Sequence, residues 1–99
     1  MSIHRATLDG HLIAESDRTV SVEGNHYFPL EDVVAGTIGR SWMRSLCFWK
    51  GVAGYYDVTI GDRVVPHAAW TYRHPSPLAR RIKGHVAFWP GDVQVVEVT

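Results

Sequence analysis

Short runs rich in Val, Thr, Tyr, Phe and Trp, interrupted about every ten residues by Gly, Pro, Asn or Asp, dominate this chain. That rhythm predicts a mainly β protein with one or two short helices, folded as one small domain over residues 1–99. Leu12 to Ala14 and Thr19 to Glu23 flank the turn formers Ser16, Asp17 and Arg18, and Val20 and Val22 alternate with polar neighbours. A hairpin is expected there. Gly24-Asn25 turns the chain into His26-Tyr27-Phe28, which Pro29 closes because it has no N–H for a ladder. Leu30, Val33, Val34 and Ile38 are spaced for a helix, but the nearby Gly36, Thr37 and Gly39 limit it to one or two turns.

Met43 to Trp49 and Gly54 to Ile60 read as the next strands, joined by Lys50-Gly51-Val52-Ala53. Gly61-Asp62 leads into a third strand, Val64 to Tyr72, expected to pair with the second. Ser76-Pro77 is a helix-start signature, since Ser caps free amides and Pro tolerates the first helical position. Leu78 to Lys83 is then a short helix that Gly84 ends. Val86 to Trp89 and Val93 to Val98 are the final strands, separated by Pro90-Gly91-Asp92.

With 99 residues, 45% of them apolar and 20% charged, the chain can fill one modest core, and disorder as the main state is excluded. Ten basic and ten acidic residues cancel. Without a positive field there is no footprint for a nucleic-acid backbone or an anionic membrane, so neither is expected as a partner. Six histidines add positive charge only under mild acid. The single cysteine, Cys47, forbids an intramolecular disulfide. No apolar run approaches the roughly 20 residues that cross a bilayer, and Met1 to Gly10 has no signal-peptide core. A cytoplasmic protein is the expectation.

The densest chemistry lies in Cys47-Phe48-Trp49-Lys50-Gly51-Val52-Ala53-Gly54-Tyr55, where a thiol, an ammonium and a phenol fall around one bend. An ammonium lowers the pKa of a nearby thiol, and desolvation by aromatic rings lowers that of a lysine, so either is a candidate nucleophile. Equally, Cys47 reads as a small buried hydrophobe and Lys50 as a solvated turn residue. In Ala69-Trp70-Thr71-Tyr72-Arg73-His74-Pro75, strand alternation puts Trp70 and Tyr72 on one face, as the floor of a pocket or as core. His74, before Pro75, reads as a solvated loop residue. One cysteine and histidines without i, i+2 or i, i+4 pairing supply no zinc set, so no metal and no cofactor is expected. A Ser-His-Asp arrangement stays open on composition, without any nucleophile-elbow motif. Gly36-Thr37-Ile38-Gly39-Arg40-Ser41 lacks the lysine and spacing of a phosphate loop.

On these motifs the chain resembles the bacterial domain-of-unknown-function family 427, also provisionally labelled a nucleotidyltransferase. The resemblance rests on Ala14-Glu15-Ser16, Glu23, Tyr27-Phe28-Pro29 with Asp32-Val33, Cys47-x-x-Lys50-Gly51-x-Ala53-x-Tyr55, Ala69-Trp70-x-Tyr72-x-x-Pro75 and Ile82-x-Gly84-His85-Val86-Ala87-Phe88. It implies an Mss4-like, or β-tent, fold of curved antiparallel sheets over a groove. Relatives of that topology hold zinc through paired cysteines, which this chain lacks. The nucleotidyltransferase label implies closely spaced carboxylates for two magnesium ions. There is no Asp-x-Asp: Glu31 and Asp32 are adjacent, and Glu15 and Asp17 lie at the first turn.

The leading reading is a small-molecule site floored by Trp70 and Tyr72, edged by Lys50, Tyr55 and Glu23 with Cys47 beside them, for an anionic or aromatic ligand. Its rival is a noncatalytic interaction module whose exposed edge strand or aromatic surface pairs with another protein or with a second copy as a homodimer. A nucleotidyltransferase and a thiol-dependent or metal-dependent enzyme complete the set.

Overall fold

The computed structural model describes residues 2–98. Nine strands are formed among them: β1 (Ile3–Leu8), β2 (His11–Ser16), β3 (Val20–Val22), β4 (Asn25–Pro29), β5 (Ile38–Cys47), β6 (Gly51–Ile60), β7 (Arg63–Thr71), β8 (His85–Phe88) and β9 (Val93–Val98). They make two sheets, one in the order β2-β1-β9 and one in the order β3-β4-β8-β7-β6-β5, with antiparallel pairing throughout. The mainly β reading holds.

The hairpin expected between Leu12–Ala14 and Thr19–Glu23 does not form. β2 pairs with β1 and β3 pairs with β4, each across a two-residue turn. Both turns have two left-handed residues, Asp9 (φ 53) with Gly10 (φ 81) and Glu23 (φ 55) with Gly24 (φ 80). Such turns carry the twist that antiparallel partners need. Between β2 and β3, Ser16 Oγ accepts the Arg18 N–H at 2.9 Å and the chain passes from one sheet to the other. Pro90-Gly91-Asp92 makes a similar passage, so β8 and β9 are successive but unpaired.

The expected hairpin of β6 with β7 is present, and β5 precedes it, longer than expected. Two irregularities interrupt these strands. Ser41, Trp42 and Met43 oppose Tyr55, and Pro66, His67 and Ala68 oppose Asp57. His67 has φ 55, and its N–H is held by Asp57 Oδ1 at 2.9 Å. Helix is scarce: Leu30–Asp32 is one 3-10 turn, and Pro77–Ile82 is 3-10 with a break at Ala79 instead of the helix expected over Leu78 to Lys83. Ser76 does not cap it. Its hydroxyl donates instead to Trp49 O, and its N–H reaches Lys50 O at 2.9 Å.

Alternation along the strands of the larger sheet sorts apolar residues to its two faces, and both faces are covered. Phe28, Val58, Ala69, Val86 and Phe88 join Ala6, Leu8, Ile13, Ala14 and Val93 of β1, β2 and β9 in a first core. Tyr27, Ala53, Tyr55, Trp70 and Ala87 face the other way, into a second core closed by Ala79 and Ile82 of the 3-10 segment. No helix of the described residues is long and apolar enough to cross a membrane.

Candidate functional site

The side chains singled out by the two motif segments converge on the second core. Tyr55, Trp70 and Tyr72 are buried, Cys47 is a half-buried free thiol packed against them, and Lys50 is only 6% exposed. Trp70 Nε1 donates to Tyr27 Oη at 3.1 Å, and the hydroxyls of Tyr55 and Ser45 are 3.0 Å apart. Lys50 Nζ lies 5.5 Å from the Trp49 ring and 5.4 Å from the Tyr72 ring, and it donates to Glu23 Oε1. The ion pair fastens the β3–β4 turn to the β5–β6 turn.

The electrostatics reverse the expectation of a depressed lysine. Burial works against the Lys50 charge, but the hydrogen bond to Glu23, with the phenols of Tyr27 and Tyr72, outweighs it and pushes the ammonium up to about 12. Desolvation without a partner lowers a lysine; the Glu23 partner changes the sign. The Lys50 hydrogen bond, supported by Trp49 Nε1 at 3.3 Å, holds the Glu23 carboxyl below its usual range. Burial pushes the Tyr72 phenol up, against the pull of the Lys50 charge. At neutral pH this ammonium is a fixed cation and not a nucleophile.

The opposite face of the same strands carries a different set of side chains. Arg44 stands across from Gly54 and Leu46 across from Val52, so these four share a face. Arg73, one residue past Tyr72 and two past the β7 end, lies over Gly54. A Cβ built there would meet Arg73 Nη1 at 2.5 Å, Arg73 Cζ at 3.5 Å and Arg44 Cζ at 3.9 Å. Only a glycine leaves room for both guanidinium groups. Arg73 continues over the Tyr56 ring at 5.5 Å, its Nη2 donating to Tyr56 Oη at 3.4 Å. Arg44 Nη1 donates to Ser41 O at 3.0 Å and Met43 O at 2.7 Å.

Arg44, Gly51, Val52, Gly54, Arg73, His74 and Ser76 line a surface groove of about 460 Å³. Gly51, at φ 113, lets the 74–76 segment form its wall, since a Cβ there would meet His74 O at 3.3 Å. Among the described residues neither arginine is in an ion pair. Two cations converge without a carboxylate between them. Sequence reasoning passed over Arg44 and Arg73 in favour of the aromatic residues beside them. The signal for them was a glycine inside a strand, which marks a close approach by another group.

Other clusters are internally satisfied. Ser41 Oγ is 2.5 Å from His67 Nδ1, and Asp57 Oδ1 is 3.8 Å from the same nitrogen. A catalytic relay needs serine and acid on opposite ring nitrogens, and Ser41 is buried. Arg5 holds Glu15 at 2.6 Å, and Arg18 holds Glu31 at 3.0 Å and Asp32 at 3.3 Å, so three of the four carboxylates considered for a nucleotidyltransferase set, all but Asp17, are engaged by arginine. Among the described residues no group of three or more His, Cys, Asp and Glu is placed to hold a metal. A larger cleft of about 560 Å³, lined by Gly24, Asn25, His26, Phe88, Pro90, Gly91 and residues 93–96, has no aspartate, glutamate, lysine or arginine in its wall. Burial, and then the His4 ring stacked 4.0 Å away, keep His26 below its usual value and favour its neutral form.

No curated protein matches the sequence. A family model described as a domain of unknown function, DUF427, matches residues 3–99, and the chain belongs to that family.

Proposed function

We propose that this domain binds a small anionic molecule in the groove between Arg44 and Arg73. The observation that supports the reading is the convergence of two guanidinium groups over Gly54 without a carboxylate partner among the described residues. Each has N–H groups to spare, because a guanidinium carries five donors and these two spend theirs on Ser41, Met43 and Tyr56. The motif segments that suggested a ligand site supply this groove through Val52 and Gly54, alternate positions of β6, with Gly51 under the 74–76 segment and Arg73 opposite. Lys50, Glu23, Tyr55, Trp70, Tyr72 and Cys47 support it from behind, as the packed layer that fixes the two strands.

The same proposal places the domain in the cytoplasm, where a half-buried free thiol persists, and keeps the β-tent assignment as a description of its two antiparallel sheets. Titration with inorganic phosphate at fixed ionic strength, followed by amide chemical shifts, tests it. Shifts confined to residues 44–54 and 71–76, and lost in Arg73→Gln, are expected. Equal shifts in the wild type and in Arg44→Gln/Arg73→Gln would overturn it.

A further inference from the structure

We infer that the natural ligand is an organic oxyanion, a phosphate or carboxylate carried on a small apolar body, and not an inorganic ion; this rests on the anion-site reading above. The argument is the order of side chains along the groove. Arg44 and Gly54 form one cross-strand pair, and Leu46 and Val52 form the next on the same face. Two residues along a strand are about 7 Å, so an apolar pair begins one ring's length from the guanidinium groups. Leu46 is 70% exposed and Val52 is 56% exposed. Apolar side chains on an otherwise cationic face lose contact with water only when something apolar covers them.

The groove's dimensions agree. At about 460 Å³ it falls in the range of small-molecule sites and is several times larger than a bare phosphate needs. Ser76 is not a competing donor in its wall. Ser76 spends its hydroxyl on Trp49 O and its N–H on Lys50 O. Polar recognition is therefore concentrated at Arg44 and Arg73, with the exposed His74 at the rim, while Val52 continues the groove and its exposed cross-strand partner Leu46 lies just outside the lining. A head-and-body ligand matches that division. Its oxyanion takes Arg73 Nη1 over Gly54, and its body lies along Val52.

The experiment uses the full chain and four probes at constant ionic strength: inorganic phosphate, phenyl phosphate, acetate and benzoate. Isothermal titration of the wild type is expected to show phenyl phosphate at least tenfold tighter than phosphate, or benzoate at least tenfold tighter than acetate. The pair that shows the gap identifies the head group. In Val52→Asn, at an exposed position, the gap should close through weaker binding of the larger probe of the pair. Arg73→Gln should weaken every probe that binds. Equal affinity within both pairs overturns the organic-ligand inference and leaves the anion site standing. A gap that survives in both Val52→Asn and Leu46→Asn also overturns it. Failure of all four probes, or binding indifferent to Arg73→Gln, removes the anion site and this inference with it.

Discussion

Gly54→Ala separates the groove from the fold more cleanly than any charge reversal. The residue is inside β6 and its backbone is not left-handed, so alanine adopts the same conformation. Its Cβ would meet Arg73 Nη1 at 2.5 Å, too close to tolerate, but that atom is the far end of a flexible side chain. Arg73 swings away, giving up its stacking on Tyr56. That loss is about 0.5–1 kcal/mol for an exposed cation–π contact. Against it, alanine restricts the unfolded chain and contributes about 0.4–1 kcal/mol. Folding stability should therefore stay within about 1 kcal/mol of the wild type. Binding should not: losing one charge-assisted hydrogen bond costs about 1.5–3 kcal/mol, or tenfold to somewhat over a hundredfold in affinity. Urea denaturation gives the first quantity and phenyl phosphate titration the second. A stability loss above about 2 kcal/mol would refute the claim that Arg73 is free to move, and unchanged affinity would refute its role in the groove.

Two further perturbations address the layer behind the groove. The folded Lys50 value of about 12 lies above the ordinary 10.5, so the ion pair stabilises fully below pH 10.5 and loses its effect as pH climbs toward 12. With a half-exposed Glu23 partner the alkaline loss should be about 1 kcal/mol, measured by urea melts at pH 9 and 11.5 and absent in Lys50→Met. Ile82→Ala, at a fully buried position of the 3-10 segment, should cost about 2–4 kcal/mol in the same assay; a loss below 1 kcal/mol would mean that the segment does not close the second core.

The strands were legible because each is a run of β-forming residues between turn formers, and period two correctly put Trp70 and Tyr72 on one side. Which side faces inward was not, since β6 and β7 are buried on both faces along part of their length and both sets look amphipathic. The first hairpin was misread for a different reason. Asp9-Gly10 between two alternating runs is a stronger two-residue turn signal than Ser16-Asp17-Arg18, and it pairs β1 with β2. Glu23-Gly24 was harder, because a glutamate in a left-handed conformation has no local preference to announce it. Its ion pair with Lys50, 27 positions away in sequence, is a tertiary contact that no local pattern encodes.

Charge balance over the whole chain concealed the groove as well. Ten cations and ten anions imply no field, yet the folded chain distributes them unevenly: Arg5, Arg18, Arg63 and Lys50 engage Glu15, Glu31, Asp32, Asp9, Asp92 and Glu23, while Arg44 and Arg73 share Gly54 without an acid. The two guanidinium carbons lie 3.5 and 3.9 Å from the Cβ position of Gly54, and like charges up to about 7 Å apart at a partly solvated surface repel by roughly 0.6–2.4 kcal/mol or more. Screening by salt relieves much of that, so raising ionic strength from about 0.01 to 0.5 M shortens the Debye length from about 30 Å to under 8 Å and should stabilise the unliganded domain. For a chain of this size 1 kcal/mol corresponds to about 4–8 °C in Tm. The ordinary surface pairs weaken with salt and shift Tm the other way, which makes the comparison with Arg73→Gln decisive: the variant should melt higher than the wild type at low salt and lose that advantage at high salt, where only its missing contact with Tyr56 remains. If the variant melts lower at both, Arg73 stabilises the fold through Tyr56, the repulsion over Gly54 is unimportant, and the groove has no standing demand for an anion.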